Sequence, residues 1–280
     1  MFFDVNVSTK AGLAHNEDAV FADQSLLIVM DGASSLGGFH LTPAPTDACW
    51  LAGETVAMLA EKLALPSVSI PEALTQTAAE LRAKLLAFGY PEDPYTFPSG
   101  SVMLARDLGD QVELFSLGDC TALVCYADGR PALCFHDDAV TRLDAAVLAQ
   151  AGKLAREAGM DVADVLPRLH PMLVENRLKR NRENGYWIFE PAGLGVPHGQ
   201  RLLLPKENMH SLALMSDGFY DMAEMDGGPS HQQMLNLLET TPADALIERL
   251  YAALEKDPRL NAFPRFKIKD DATVAFARLR

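Results

Sequence analysis

The stretch Leu26-Leu27-Ile28-Val29-Met30-Asp31-Gly32-Ala33-Ser34-Ser35-Leu36-Gly37-Gly38 sets the reading of the whole chain. Its opening run of apolar residues predicts a buried strand. The run stops at a carboxylate followed by glycine. A strand core has no use for Asp31 there, because an unpaired buried charge is costly. The serines and glycines beyond it predict a tight polar loop. A carboxylate held at a strand end, beside bare backbone, suits a metal or phosphate site.

The pattern recurs along the chain. Leu212–Ser216 runs into Asp217-Gly218, and Val112–Leu117 runs into Gly118-Asp119. Glu17-Asp18 and Asp270-Asp271 instead precede apolar runs. A single Asp-Gly is ordinary turn chemistry, which does not account for an ordered set. If these acidic strand ends converge, the cluster is all oxygen, the environment hard divalent cations such as Mg²⁺ or Mn²⁺ prefer over Zn²⁺.

With 280 residues, 49% of them hydrophobic, the chain has room for a sizeable core without disulfides or structural metals. A net charge of −14 speaks against nucleic acid as a partner and against an anionic membrane surface, since both call for basic patches. Cys49, Cys120, Cys125 and Cys134 form no CxxC pair and have no zinc-site spacing with histidine, so free thiols in a reducing cytosol are expected. Met1-Phe2-Phe3-Asp4 reaches an acidic residue at once, unlike a signal peptide, and no apolar run approaches the ~20 residues of a spanning helix. The expected location is cytoplasmic.

Residues 2–8 alternate as a first strand, and 19–22 and 26–30 are two more. Helices are predicted from the capping pair Thr46-Asp47 and from Pro71-Glu72, the second with Leu74, Ala78, Leu81 and Leu85 at helical spacing. Residues 101–135 read as an antiparallel meander turning at Gly109-Asp110, Gly118-Asp119 and Asp128-Gly129. Strands with no helix between them speak against a parallel doubly wound sheet. In 137–184, Val140, Leu143, Val147, Ala151 and Leu154 keep a helical period. Pro167 and Pro171 are expected to break the next stretch of helix, ahead of a basic run, Arg177–Arg182. This segment reads as a helical insertion or flap. Tyr186–Phe189 returns to strand character, and one helix is expected from about Ser230 to Leu254. The expected architecture is one α+β domain over 1–280. It is a β-sandwich of two mainly antiparallel sheets flanked by helices, in four layers.

Taken in order, six short motifs resemble those of the metal-dependent protein phosphatase family (PPM), the type 2C serine/threonine phosphatases. They are Asn16-Glu17-Asp18, Met30-Asp31-Gly32, Ser99-Gly100-Ser101, Gly118-Asp119-Cys120, Ser216-Asp217-Gly218-Phe219-Tyr220-Asp221 and Asp270-Asp271-Ala272-Thr273. The resemblance implies the same sandwich and a centre of two Mg²⁺ or Mn²⁺ ions at one end. Asp31 would bridge both ions, the Gly32 carbonyl would bind one, and Asp217 and Asp270 would hold the second. Glu17 and Asp18 would sit in or just outside the ligand shell. Asp119 and Asp221 match positions where some members add a third ion. Asp31 and Asp217 are thus the residues on which catalysis would depend. Two cations roughly 3.5–4 Å apart can bind one hydroxide between them, which attacks phosphorus in line.

Two positions depart from the family. Leu13 stands where members carry an arginine that grips the substrate phosphate, and Ala33 stands where many carry histidine. Lys10, Arg177 and Arg180 are the candidate phosphate-binding replacements; the two arginines are three apart and would share one side of a helix. The implied activity is hydrolysis of phosphoserine or phosphothreonine in proteins, in a pathway with a cognate kinase. Leu13 motivates one alternative, a catalytically weak member that binds phosphoproteins as a regulator. Another is a phosphatase of small metabolites on the same fold.

Overall fold

The computed structural model describes residues 1–36, 40–259 and 263–280. Gly37 and Gly38, read above as part of the polar loop, lie outside the described residues. In chain order the strands are β1 (Phe2–Lys10), β2 (Asp18–Ala22), β3 (Leu26–Gly32), β4 (Gly100–Asp107), β5 (Gln111–Leu117), β6 (Thr121–Tyr126), β7 (Leu133–Phe135), β8 (Gln200–Pro205), β9 (Met209–Met215) and β10 (Ala272–Leu279). The helices are α1 (Asp47–Leu63), α2 (Ile70–Ala87), α3 (Ala139–Ala158), α4 (Val162–Arg177), α5 (Asp217–Glu224), α6 (His231–Thr240) and α7 (Ala243–Leu254).

Two five-stranded antiparallel sheets stack face to face, one ordered β1-β10-β9-β6-β7 and the other β2-β3-β4-β5-β8. The apolar run of β3 is unbroken because both of its faces are covered. Leu27 and Val29 enter the core between the sheets. Leu26, Ile28 and Met30 face α1 and α2. β9 behaves likewise, with Leu212 and Leu214 between the sheets and Ala213 and Met215 against α5, α6 and α7. Strand side chains alternate faces, so a strand sandwiched between two cores reads as continuous hydrophobicity. Four layers result, as expected. Among the described residues, no helix is long and apolar enough to cross a membrane.

Local chemistry places the first helices. The Thr46 hydroxyl accepts from the Cys49 N–H at 3.0 Å and caps α1, and Ser69 caps α2. Several other expectations need correction. Residues 101–135 are not one meander: β4 and β5 pair in one sheet while β6 and β7 belong to the other, so the chain changes sheets at Gly118. Tyr186–Phe189 makes only isolated bridges, Phe189 with Gly100 and Tyr186 with Arg180. β8 has no sequence signal because its residues are only partly covered and show no strong pattern. The single helix expected over 230–254 is two, separated at Thr241-Pro242, where proline cannot continue a helix.

Pro167 and Pro171 do not break α4, which runs through both. Packing is the physical reason. Val165 and Leu169 bury themselves against Val147, Ala151 and Ala155 of α3, and this small separate core outweighs the missing backbone bonds.

Candidate active site

Pairing register brings the acidic strand ends to one edge of the sandwich. Asp18 lies opposite Asp31 across β2 and β3, and Asp31 lies opposite Ser101 across β3 and β4. In the facing sheet, Met215 lies opposite both Val274 and Thr121. Asp217, Asp271 and Asp119 therefore leave their strands within a few residues of one row.

The glycines of both Asp-Gly pairs are close-approach glycines. A Cβ on Gly32 would stand 2.5 Å from the Glu17 carbonyl oxygen, and one on Gly218 would stand 2.1 Å from the Asp271 carbonyl oxygen. Neither distance is tolerable, so bare backbone lets the motifs pack against one another. Gly118 has φ +99°, and its Cβ would fall 2.2 Å from Ser101 Oγ. That same hydroxyl donates to Asp119 Oδ1 and accepts from the Asp119 N–H at 3.2 Å, which seats Asp119 in the cluster.

Around this frame the carboxylates divide into holders and facers. Asp271 is a holder: its two oxygens accept the Gly12 N–H at 2.8 Å and the Glu17 N–H at 2.7 Å, tying the 12–17 loop to β10. Glu17 accepts from the Ser34 hydroxyl. Asp31, Asp119, Asp217 and Asp270 line a cavity of about 260 Å³. Asp119, Asp217, Asp221 and Asp270 also line a neighbouring one of about 480 Å³. The α3–α4 hairpin roofs these cavities. His170 Nε2 bonds the Leu36 carbonyl at 2.8 Å, and Arg177 Nη1 donates to the Ser34 carbonyl at 3.2 Å.

Crowding sets the electrostatics. Burial, then the charges of Asp217, Asp18 and Asp119, push the Asp31 carboxyl well above the usual carboxylate range. Burial pushes Asp18 up likewise, against the opposing hydroxyls of Thr273 and Ser216. Burial and the charges of Asp119 and Asp270 raise Asp217 to about 7. Asp119 and Asp221 are raised too, chiefly by burial. Like charges in a dry site cannot all ionise without a counter-charge.

The three basic candidates are placed differently. Arg177 lines the cavity of Asp31 and Asp217. Arg180 is buried, and its guanidinium donates to Ser99 Oγ at 3.0 Å and to the carbonyls of Pro94 at 2.8 Å and Phe97 at 3.0 Å. Lys10 pairs with Glu248 of α7. Exposed Leu13 lies beside His15, Glu17 and Asp270 in a smaller cavity. One residue the sequence reasoning missed is Lys267, whose Nζ donates to Asp270 Oδ1 at 2.7 Å and to Ser34 Oγ at 3.1 Å. No motif marks it; only its place three residues before Asp270 hints at a role.

A family model described as protein phosphatase 2C matches residues 10–255. The chain belongs to the protein phosphatase 2C family. Among solved structures, the serine/threonine phosphatase Stp1 of Staphylococcus aureus matches at TM-score 0.59 and 15% identity, over 99% of this chain and 95% of that one. The PPM Ser-Thr phosphatase MsPP of Mycobacterium smegmatis, in complex with cacodylate, matches at TM-score 0.56 and 17% identity, over 100% and 99%. The catalytic domain of the serine/threonine protein phosphatase PstP, in complex with two manganese ions, matches at TM-score 0.56 and 16% identity, over 99% and 98%. These likenesses establish a shared fold. No curated protein sequence matches the chain.

In this protein phosphatase 2C chain the donor chemistry fits hard divalent ions. The facing side chains are carboxylates, and Asp18 Oδ2 is buried with no hydrogen-bond partner. Among the described residues, no three acidic, histidine or cysteine side chains already close on a common point as a ready set of ligands. A divalent cation among these carboxylates would supply the counter-charge they lack.

The raised carboxyls fix the sign of a pH effect. A carboxyl whose folded pKa exceeds its unfolded value stabilises the fold while protonated. That stability is complete below the unfolded value of 3.8 and is lost as pH rises through the folded value, about 7 for Asp217. Chelator-stripped protein is therefore expected to lose about 5 °C or more in Tm between about pH 5 and about pH 8, and Asp217→Asn to flatten that fall. Thermal scans across this range check it; a level wild-type Tm would show that the cluster carries no uncompensated charge.

Proposed function

We propose that the protein is a metal-dependent phosphatase that removes phosphate from phosphoserine or phosphothreonine in proteins. The observation that carries this reading is the convergence of Asp18, Asp31, Asp119, Asp217 and Asp270 at one sandwich edge in a phosphatase 2C fold. Asp31, Asp217, Asp270 and the Gly32 carbonyl would hold two Mg²⁺ or Mn²⁺ ions, and Asp119 with Asp221 a third. When bound, such ions supply an activated water and neutralise charge on the phosphoryl group.

The chain's own residues do the rest. Glu17, fixed through Ser34, and Asp18, held opposite Asp31 by the β2–β3 pairing, orient what binds in front of them. Asp271 locks the loop on which Glu17 sits. Arg177 brings positive charge over the cavity from α4, and the hairpin over 137–184 shapes substrate access. The chain works as one catalytic unit over 1–280, in the cytosol, opposite a cognate kinase.

The test is hydrolysis of a phosphothreonine peptide with Mn²⁺, with Mg²⁺ and with chelator. Metal-dependent turnover supports the reading. Absence of turnover with either metal, in folded protein, favours the phosphoprotein-binding regulator that Leu13 suggests. Turnover of small phosphate esters but not of phosphopeptides favours a metabolite substrate.

A further inference from the structure

The segment after α7 is built to aim one lysine. Buried Arg265 pins it: Nη2 donates to the carbonyls of Leu254 and Asp257 at 2.7 Å each, Nη1 to that of Phe263 at 2.9 Å, and Nε to that of Ile268 at 3.1 Å. Phe266 and Ile268 pack into the α3–α4 core. Lys267, between them, enters the carboxylate cluster instead. It lines the cavities of Asp31, of Asp221 and of Leu13. Among the described residues, it is the cation whose nitrogen stands on a carboxylate of the cluster.

The Lys267 ammonium sits on Asp270 Oδ1 at 2.7 Å and on Ser34 Oγ at 3.1 Å, facing the cavity that Asp31 and Asp217 also line. A half-buried, charged lysine has few reasons to stay at an acidic edge once that edge binds cations. A divalent ion on Asp270 would repel it from that oxygen. Its flexible stem lets the ammonium swing while remaining beside Ser34. The anion then available is the phosphoryl group of whatever occupies the cavity. Arg180 and Lys10 are committed elsewhere, to the 94–99 loop and to Glu248.

We propose that Lys267 is the residue that grips the phosphoryl oxygens, exchanging its Asp270 partner for the substrate phosphate. Ser34 Oγ is its pivot, and Arg177, on the carbonyl of the same residue, flanks it from α4. This inference rests on the phosphatase reading and supplies its phosphate-binding group from the 263–270 segment.

The experiment is calorimetric titration of inorganic phosphate into full-length protein equilibrated with Mg²⁺, for wild type, Lys267→Met and Lys267→Arg. Mg²⁺ affinity and Tm are measured on the same samples. The methionine variant is expected to bind phosphate about 10-fold more weakly or worse, with Mg²⁺ affinity equal or tighter because a competing cation is gone. Arginine keeps the charge and is expected to keep most of the binding. Three results would overturn the proposal: unchanged phosphate affinity in the methionine variant, weakened Mg²⁺ binding there, or no phosphate binding by wild type. Loss of binding in the arginine variant also counts against it. Phosphate binding through Lys267 in a wild type that turns over neither phosphopeptides nor small phosphate esters would keep the inference and end the phosphatase reading.

Discussion

Asp217→Asn is expected to lower kcat/KM for a phosphothreonine peptide in Mn²⁺ by about 10³-fold or more, and to abolish most of the heat of Mn²⁺ binding. Asparagine matches the shape of aspartate and can keep a hydrogen bond to the Asp31 carboxyl, a contact the two aspartates share. The substitution removes the negative charge a divalent ion needs. It removes nothing the metal-free fold needs, because crowded carboxylates at that position oppose folding at neutral pH. The metal-free variant is therefore expected to be at least as stable as wild type above about pH 7. This combination separates a lost centre from a lost fold. Steady-state kinetics, Mn²⁺ calorimetry and a melting curve on one preparation decide it. A loss in kcat/KM smaller than about tenfold would remove Asp217 from the centre.

Gly118→Ala is expected to destabilise the protein by about 3 kcal/mol or more. Two independent penalties act at this residue. Its φ of +99° lies where L side chains are strained, and the new Cβ would collide with Ser101 Oγ, Cβ and Cα. Relief by moving Ser101 undoes the hydroxyl that seats Asp119, so surviving folded protein also loses part of its metal response. Urea or thermal midpoints against wild type measure the first effect, and metal titration of the folded fraction the second. Gly109→Ala is the control. It too has positive φ, +91°, but its Cβ would meet nothing within 4 Å. It should show the backbone penalty alone. Equal losses in the two variants would mean that the Ser101 contact contributes nothing.

Several features were readable without coordinates because they depend on neighbours in sequence. Unbroken hydrophobicity in 26–30 reported a strand covered on both faces, which is what two adjoining cores impose. Thr46 marked a helix start through a cap bond spanning three residues. An all-oxygen set of acidic strand ends set the expectation of hard divalent ions, since ligand preference follows from atom type. The break between α6 and α7 has an equally local cause in Pro242, although the apolar period on either side of it reads as one helix.

Other features had no local signature. The chain switches sheets at Gly118 because its next strand finds β9 rather than β5, a choice made between competing long-range partners. α4 keeps its course through Pro167 and Pro171 because α3 covers it, and no residue in α4 announces that. Arg180 has the composition of a phosphate ligand and the surroundings of a structural clamp. Lys267 meets Ser34 across 233 residues of chain, beyond the reach of any pattern or spacing. The sequence by itself determined which atoms are available and which segments must be buried, because side-chain chemistry and periodicity are local. Only the tertiary structure decided which charges face one another, because burial and Coulomb energy depend on distances that folding alone sets.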